Sequence, residues 1–100
     1  MTKERKMSNV GEVVTVISMM GEIVGRLKEE TTDGYELESP RLFVPAQGDA
    51  SGGFAPGLSM TGEQHPNSAH VNKGLVMTVV KTHDQVAKGW QEATSSIVLP

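Results

Sequence analysis

The chain contains no cysteine among its 100 residues. Disulfide bonds and thiolate-ligated metal sites are therefore excluded, because both need cysteine sulfur. The absence also fits a reducing compartment, where disulfides are rare. We expect a single domain over residues 1–100. A domain of this size buries only a modest share of its surface, so oligomerisation is a natural source of further stability.

Long hydrophobic runs are also missing. No apolar stretch approaches the roughly 18 residues that a membrane-spanning helix needs, and the N-terminus lacks the apolar core of a signal peptide. We therefore expect a soluble, cytoplasmic protein without membrane contact. Residues 1–9 instead carry Lys3, Arg5 and Lys6 and show no periodicity. They are interpreted either as a flexible, solvated arm, which is the commoner behaviour of chain termini, or as a basic arm that reaches for phosphate.

Aromatic residues and positive charge are scarce. Aromatics make up 4% of the chain, and the formal net charge is -3. Single-strand recognition uses stacked aromatics, and phosphate contacts need a concentrated positive surface. Both shortages argue against a dedicated nucleic-acid binder.

Strand patterns dominate residues 13–44. Residues 13–19 are mostly β-branched, which suits a half-buried strand better than a helix. Residues 22–28 alternate between one apolar face and one mostly polar face, as a second strand does. Between them, Met20 and Gly21 are predicted to form a two-residue turn.

A second hairpin turn is predicted at Asp33-Gly34, because a type I′ turn requires positive φ at both central positions and this dipeptide tolerates it. A third strand, antiparallel to the second, follows over residues 35–44. It is predicted to bend or bulge at Pro40, since proline cannot donate to a strand ladder.

Residues 45–72 form a long loop rich in Gly, Pro, Ser and Ala. A short fourth strand is predicted within it, at residues 54–61. Ser59 lies in a G-x-S string but lacks the strand-to-helix context of a nucleophile elbow. His65 and His70 are not at a zinc-binding spacing and are interpreted as surface histidines. We therefore expect no enzyme activity, no metal and no cofactor.

The C-terminal part begins with a nearly continuous apolar run at residues 74–81. It predicts a fifth strand that is covered on both sides or buried in a subunit interface. Residues 97–99 form an apolar tail that could add to a sheet edge.

A helix is predicted from about residue 83 to residue 94. Thr82 and Gln85 have the spacing of a capping box, which would start it. Its apolar stripe consists of Val86, Trp90 and Ala93. Trp90 is interpreted as the packing anchor of this helix rather than as a base-stacking platform.

Two segments resemble the signature motifs of the Sm and Sm-like family, which includes the bacterial Hfq proteins. The first runs from strand one through Gly25-Arg26-Leu27 and the acidic hairpin turn to a third strand with acidic outer residues. The second is residues 71–76, where Lys73-Gly74 stands in place of Arg-Gly. The long middle loop is similar to that of phage-encoded, cyanophage-type members.

The resemblance implies a strongly bent, five-stranded antiparallel small barrel, here with a C-terminal helix. It also implies a homo-oligomeric ring of about five to seven subunits that binds single-stranded RNA. Lys73 would contact phosphate, and Asn72 or Tyr35 would touch a base. The full candidate set is Tyr35, Asn72, Lys73, Gly74, Lys3, Arg5 and Lys6.

The chain also departs from the family pattern. Gly21 and Gly25 stand one residue closer together than the family's glycines. Thr31 stands where the family has aspartate, and the asparagine of its base pocket falls near Gly34. A second function therefore stays open, a protein-interaction or phage-assembly module that docks a phage or host protein through residues 45–72 and the tail.

Overall fold

The described residues of the computed structural model are 9–48, 52–59 and 61–95, and they form one antiparallel sheet and one helix. The elements are β1 (Val13–Ser18), β2 (Gly21–Glu30), β3 (Gly34–Val44), β4 (Gly53–Phe54), β5 (Ser68–Asn72), β6 (Val76–Lys81) and α1 (Asp84–Ser95). A 3-10 turn, Lys73–Leu75, joins β5 to β6.

The strands follow the order β4-β3-β2-β1-β6, and β5 also pairs with β3. Both β4 and β5 lie along β3, β5 opposite Gly34 to Glu38 and β4 opposite Phe43 and Val44. The predicted mostly-β, antiparallel architecture with a C-terminal helix is confirmed. The number of strands differs from the five expected in the strongly bent small barrel, and the sheet of the described residues is not closed. Six strands are present, and no pairing within the described ranges joins β6 to β4 or β5.

Two bulges bend the central hairpin. In β3, the register with β2 jumps from Arg41 to Glu38, which leaves Ser39 and Pro40 outside the regular pairing. Ser39 has φ 49°, in the left-handed region. The predicted bend at Pro40 is therefore confirmed. A second shift, at Lys28 in β2, adds to the bend.

The β1–β2 turn is one residue earlier than predicted. Ser18 pairs with Gly21, so Met19 and Met20 are the two turn residues. Gly21 opens β2 with φ 125°, a conformation that only glycine adopts readily. The Ser18 hydroxyl accepts a hydrogen bond from the Met20 N–H at 3.1 Å and helps to close the turn.

The prediction of a type I′ turn at Asp33-Gly34 is wrong, because neither residue has positive φ. The chain turns through Thr32 and Asp33 instead. The Thr31 N–H donates to the Gly34 carbonyl at 2.8 Å, and the Thr31 hydroxyl accepts from the Gly34 N–H at 3.1 Å. The Thr31 hydroxyl therefore helps to close this turn, which does not need the positive φ angles of a type I′ turn.

The core lies on the inner face of the bent sheet. Its buried residues are Val14, Val16, Ile23, Leu27 and Leu37. On the outer face, α1 is anchored by Trp90, which is 3% exposed. Its indole N–H donates to the Ser39 carbonyl at 2.9 Å, and the Arg26 guanidinium lies 5.5 Å from the ring. The interpretation of Trp90 as a packing anchor is confirmed.

The predicted helix is confirmed to within one residue at each end, but its predicted capping box is wrong. The Thr82 hydroxyl is buried and shares a hydrogen bond of 2.9 Å with the Thr15 hydroxyl on β1, so it is not placed to cap the helix. The Gln85 N–H instead donates to Nδ1 of His83 at 3.2 Å. The imidazole therefore takes the position of the expected cap.

The segment predicted as a long loop contains β5. The strand predicted at residues 54–61 is reduced to Gly53–Phe54. β5 lies at the end of the predicted loop, where only Ala69 and Val71 are apolar, so its sequence carries a weak strand signal. The strand predicted at residues 74–81 begins at Val76, because the 3-10 turn precedes it.

The predicted burial of β6 is not found in the single chain. Met77 is 71% exposed and Val80 is 44% exposed. Among the described residues, β6 pairs only with β1. The predicted tail at residues 97–99 lies outside the described residues.

Candidate nucleic-acid interface

Four predicted site residues converge at the tip of the β2–β3 hairpin. Pairing of β5 with β3 sets Asn72 opposite Gly34 and Val71 opposite Tyr35. The 3-10 turn continues from β5, and the Lys73 N–H donates to the Asp33 carbonyl at 2.8 Å. These contacts bring together the predicted residues Tyr35, Asn72, Lys73 and Gly74, which we call the tip surface. The other three, Lys3, Arg5 and Lys6, lie outside the described residues.

Lys73 is the cation of the tip surface, and it is already engaged. Its Nζ lies 3.0 Å from Glu30 Oε2 and 5.4 Å from the centre of the Tyr35 ring. The lysine side chain is 37% exposed, so water screens the pair. The Lys73 ammonium therefore also covers one face of the ring on which a base would stack.

The Asn72 side chain has a structural task. Its Oδ1 accepts a hydrogen bond from the Gly74 N–H at 2.7 Å and so caps the 3-10 turn. A side chain at position 74 would bring its Cβ to 3.0 Å from this oxygen, which is why glycine suits the turn. This bond leaves the donor end of the Asn72 amide for a possible ligand.

His70 belongs to the same region, although it was interpreted from the sequence as a surface histidine without a site role. Its Nδ1 lies 3.2 Å from Glu36 Oε1, and its Nε2 lies 3.5 Å from Asp33 Oδ1. The ring covers Gly34, whose place a larger residue could not take without meeting it. No local sequence pattern could have predicted this position of His70, because it depends on the pairing of β5 with β3.

The surroundings of the tip surface are acidic on balance. Glu30, Asp33 and Glu36 surround Lys73 and His70, so the carboxylates outnumber the lysine three to one. A hollow of about 340 Å³ lies beside Lys73 and is lined by Glu30, Thr31, Thr32 and Lys73. Phosphate would meet one cation here rather than a concentrated positive surface.

The two arginines that the structure describes do not add to this positive charge. Arg41 is 4% exposed, and its guanidinium donates to the Pro40 carbonyl at 3.3 Å. Burial lowers the pKa of Arg41 from its ordinary value by desolvation. Arg26 lies between Glu38, at 4.0 Å, and the Trp90 ring. Both arginines therefore serve the packing of the outer face.

The histidines and Ser59 are the remaining residues for which the sequence raised a metal site or a nucleophile. No group of three or more His, Asp or Glu residues within it is arranged to hold a metal ion. The Ser59 hydroxyl accepts from the Gly62 N–H at 2.9 Å and closes a local turn. No helix in the described ranges has the length and apolar character needed to cross a membrane.

Comparison of the chain with protein-family models, with curated proteins and with solved structures finds no match.

Proposed function

We propose that the protein is a non-enzymatic, Sm-like, homo-oligomeric ring that binds single-stranded RNA through the tip surface. One observation carries the proposal. The chain brings Tyr35, Asn72, Lys73 and Gly74 to one place, although the sequence separates the first from the others by more than thirty residues. An aromatic ring, an amide and a cation side by side are the groups that contact bases and phosphates in single strands.

The open sheet edges support the ring. Within the described residues β5 pairs only with β3, and β6 pairs only with β1. The unpaired backbone groups of β6 would be satisfied by β5 of a neighbouring copy. Such a head-to-tail contact closes into a ring when its rotation divides the circle. Burial of Met77 and Val80 would then follow from assembly.

A second candidate is a protein-interaction or phage-assembly module, which the exposed apolar side chains favour. Met19, Met20, Leu75 and Met77 are all more than half exposed. They lie at one end of the β1–β6 pair, where the Met19 N–H donates to the Leu75 carbonyl at 3.2 Å. Methionine-rich surfaces adapt well to protein partners, and the carboxylates around the tip surface do not favour RNA.

The deciding experiment measures mass by light scattering and affinity for short oligo-U and oligo-A RNA at two salt concentrations. A ring whose RNA affinity falls with salt supports the RNA-binding proposal. A ring that ignores RNA supports the interaction module instead. A monomer would refute the proposed assembly.

A set of charge variants tests whether the tip surface holds the RNA. Lys73→Ala is expected to weaken binding roughly five-fold, for about 1 kcal/mol lost per contact. It should also reduce the salt slope by about 0.7 for one lost phosphate contact. Glu30→Gln is expected to strengthen binding, because it releases Lys73 from its ion pair.

The matched control is Lys88→Ala, which removes the same charge from an exposed position of α1. It should leave both affinity and salt slope within error of the unmodified protein. Equal effects of Lys73→Ala and Lys88→Ala would mean that only net charge matters, and the tip surface would then not be the RNA site.

A further inference from the structure

Arg41 places a positive charge in the layer between the sheet and α1. Its neighbour on β3, Leu42, packs against the core, so the arginine side chain points to the outer face. Two residues along the strand, the Trp90 indole N–H holds α1 to the Ser39 carbonyl at 2.9 Å. With 4% of its surface exposed, Arg41 is the one charged residue that is buried among those that the structure describes.

The guanidinium has one weak hydrogen bond and no counter-ion within the described residues. Its Nη1 donates to the carbonyl of Pro40, the preceding residue, at 3.3 Å, which is longer than a typical N–H···O bond. The ion pairs in the described ranges belong to other cations, namely Arg26, His70 and Lys73. Because a guanidinium carries N–H donors on all three nitrogens, most donors of Arg41 have no acceptor in this part of the chain.

The carboxylates of the adjoining elements do not supply the missing counter-ion. Glu22 on β2 and both Asp84 and Glu92 on α1 are exposed, and none of them forms an ion pair with Arg41. Desolvation lowers the pKa of Arg41, as expected for a buried cation that lacks a neighbouring anion. A buried charge that is neither paired nor fully hydrogen-bonded lowers the stability of the fold, and a bound anion would offset this effect.

Solvent still reaches the unbonded nitrogens of Arg41. Within the described residues, every side-chain nitrogen or oxygen that is shut off from solvent has a hydrogen-bond partner. Since Nε and Nη2 of Arg41 have no partner there, they must border solvent. An opening of this size admits a small ion or the end of a small molecule, but it excludes the backbone of a nucleic acid.

We propose that Arg41 is the binding residue for a small oxyanion under α1, either inorganic phosphate or the carboxylate of a small molecule. Both ligands present at least two oxygens to the planar fork of N–H donors, and arginine binds both bidentately. The site is separate from the tip surface, because Arg41 lies six residues along β3 from Tyr35. It does not depend on the binding of RNA.

Titration with sodium phosphate, and separately with sodium acetate, tests the site by NMR. The readout is the Nε–Hε resonance of Arg41, and sodium chloride is exchanged for each salt so that the ionic strength stays constant. The resonance should shift and saturate, with a dissociation constant of about 1 to 10 mM for a single bidentate ion pair. The anion with the lower constant identifies phosphate or carboxylate as the preferred ligand. Saturation with neither anion would overturn the proposal.

Urea unfolding of Arg41→Met separates specific binding from the general stabilisation of proteins by phosphate. Methionine has a long side chain without the charge. At about ten times the dissociation constant, the better-bound anion should lower the unfolding equilibrium constant of the unmodified protein about ten-fold beyond its effect on Arg41→Met. The matched control is Lys88→Met, which removes the same charge from an exposed position of α1 and should keep the full response. Equal responses of the unmodified protein and Arg41→Met would refute the anion site.

Arg41→Lys provides a second test if Arg41→Met does not fold. Lysine keeps the charge but lacks the fork, so affinity for the better-bound anion, measured by the same unfolding assay, should fall about ten-fold or more. Unchanged affinity in Arg41→Lys would exclude recognition by the guanidinium. Since RNA is absent from all of these measurements, the anion site and the proposed RNA binding succeed or fail independently.

Discussion

Replacement of Trp90 by alanine tests the anchoring of α1 to the sheet. The indole is buried between the helix and the outer face, and it makes three kinds of contact there. Its ring packs, its N–H donates to the Ser39 carbonyl, and its face lies near the Arg26 guanidinium. Trp90→Ala removes all three.

The expected loss of unfolding free energy in Trp90→Ala can be worked out from these contacts. Truncation of a buried tryptophan costs about 3 to 5 kcal/mol, which includes the cavity left behind. Within that range, the lost hydrogen bond accounts for about 1 kcal/mol and the cation–π contact for roughly 0.5 to 1 kcal/mol. Since small domains have a free energy of unfolding of about 5 to 15 kcal/mol, the variant should be strongly destabilised. Trp90→Phe keeps most of the ring and should lose only about 1 to 2 kcal/mol.

The assay is urea unfolding followed by far-ultraviolet circular dichroism, because Trp90 is the only tryptophan and its fluorescence disappears with it. All variants are compared at one protein concentration, since assembly would make stability concentration-dependent. Glu92→Ala, at an exposed position of the same helix, is the control and should change the free energy by less than about 0.5 kcal/mol. A loss below about 1 kcal/mol for Trp90→Ala would refute the anchoring role.

Two further stability predictions use the same assay. Gly34→Ala should cost about 1 to 3 kcal/mol, because its Cβ would meet the Val71 carbonyl and the His70 ring, whereas Gly53→Ala, with open space around it, should cost nothing measurable. Equal behaviour of the two variants would contradict the close packing of β5. Thr82→Val should cost about 1 to 3 kcal/mol by leaving the buried Thr15 hydroxyl without its partner. Adding Thr15→Val should restore part of that loss, and strictly additive losses would show that the two hydroxyls are not coupled.

Local patterns were sufficient to predict β1, β2, β3 and α1. Their signals are periodic and lie within each segment, as in the alternation of residues 22–28 or the spacing of Val86 and Trp90. The bend at Pro40 was predictable for the same reason, because proline acts on its own backbone.

Features that depend on distant partners were not predictable. Asp33-Gly34 favours a type I′ turn locally, but the turn is closed by Thr31, and Gly34 is needed because His70 occupies the space above it. Thr82 has the spacing of a cap, yet Thr15 on another strand takes its hydroxyl. In each case a tertiary contact overrides a sound local preference.

The residues of the candidate site were likewise predictable where they form a local motif and not where they depend on strand pairing. Lys73 and Gly74 were found because they form a short motif, and Tyr35 because it follows the hairpin turn. The roles of Glu30 and His70 were missed, because only the pairing of β3 with β5 brings Lys73 to Glu30 and His70 to its two carboxylates.

The pairing of Lys73 with Glu30 sets the condition under which the proposed RNA binding can operate. A ring would repeat the acidic tip surface in every subunit, so the repulsion of phosphate would grow with assembly rather than decrease. RNA can then gain from Lys73 only if phosphate displaces Glu30, which makes the free energy of the ion pair a direct cost of binding. Tighter binding by Glu30→Gln would show that this competition takes place. Unchanged binding would mean that RNA never reaches Lys73, and the exposed methionines beside Leu75 would become the surface on which function should be sought.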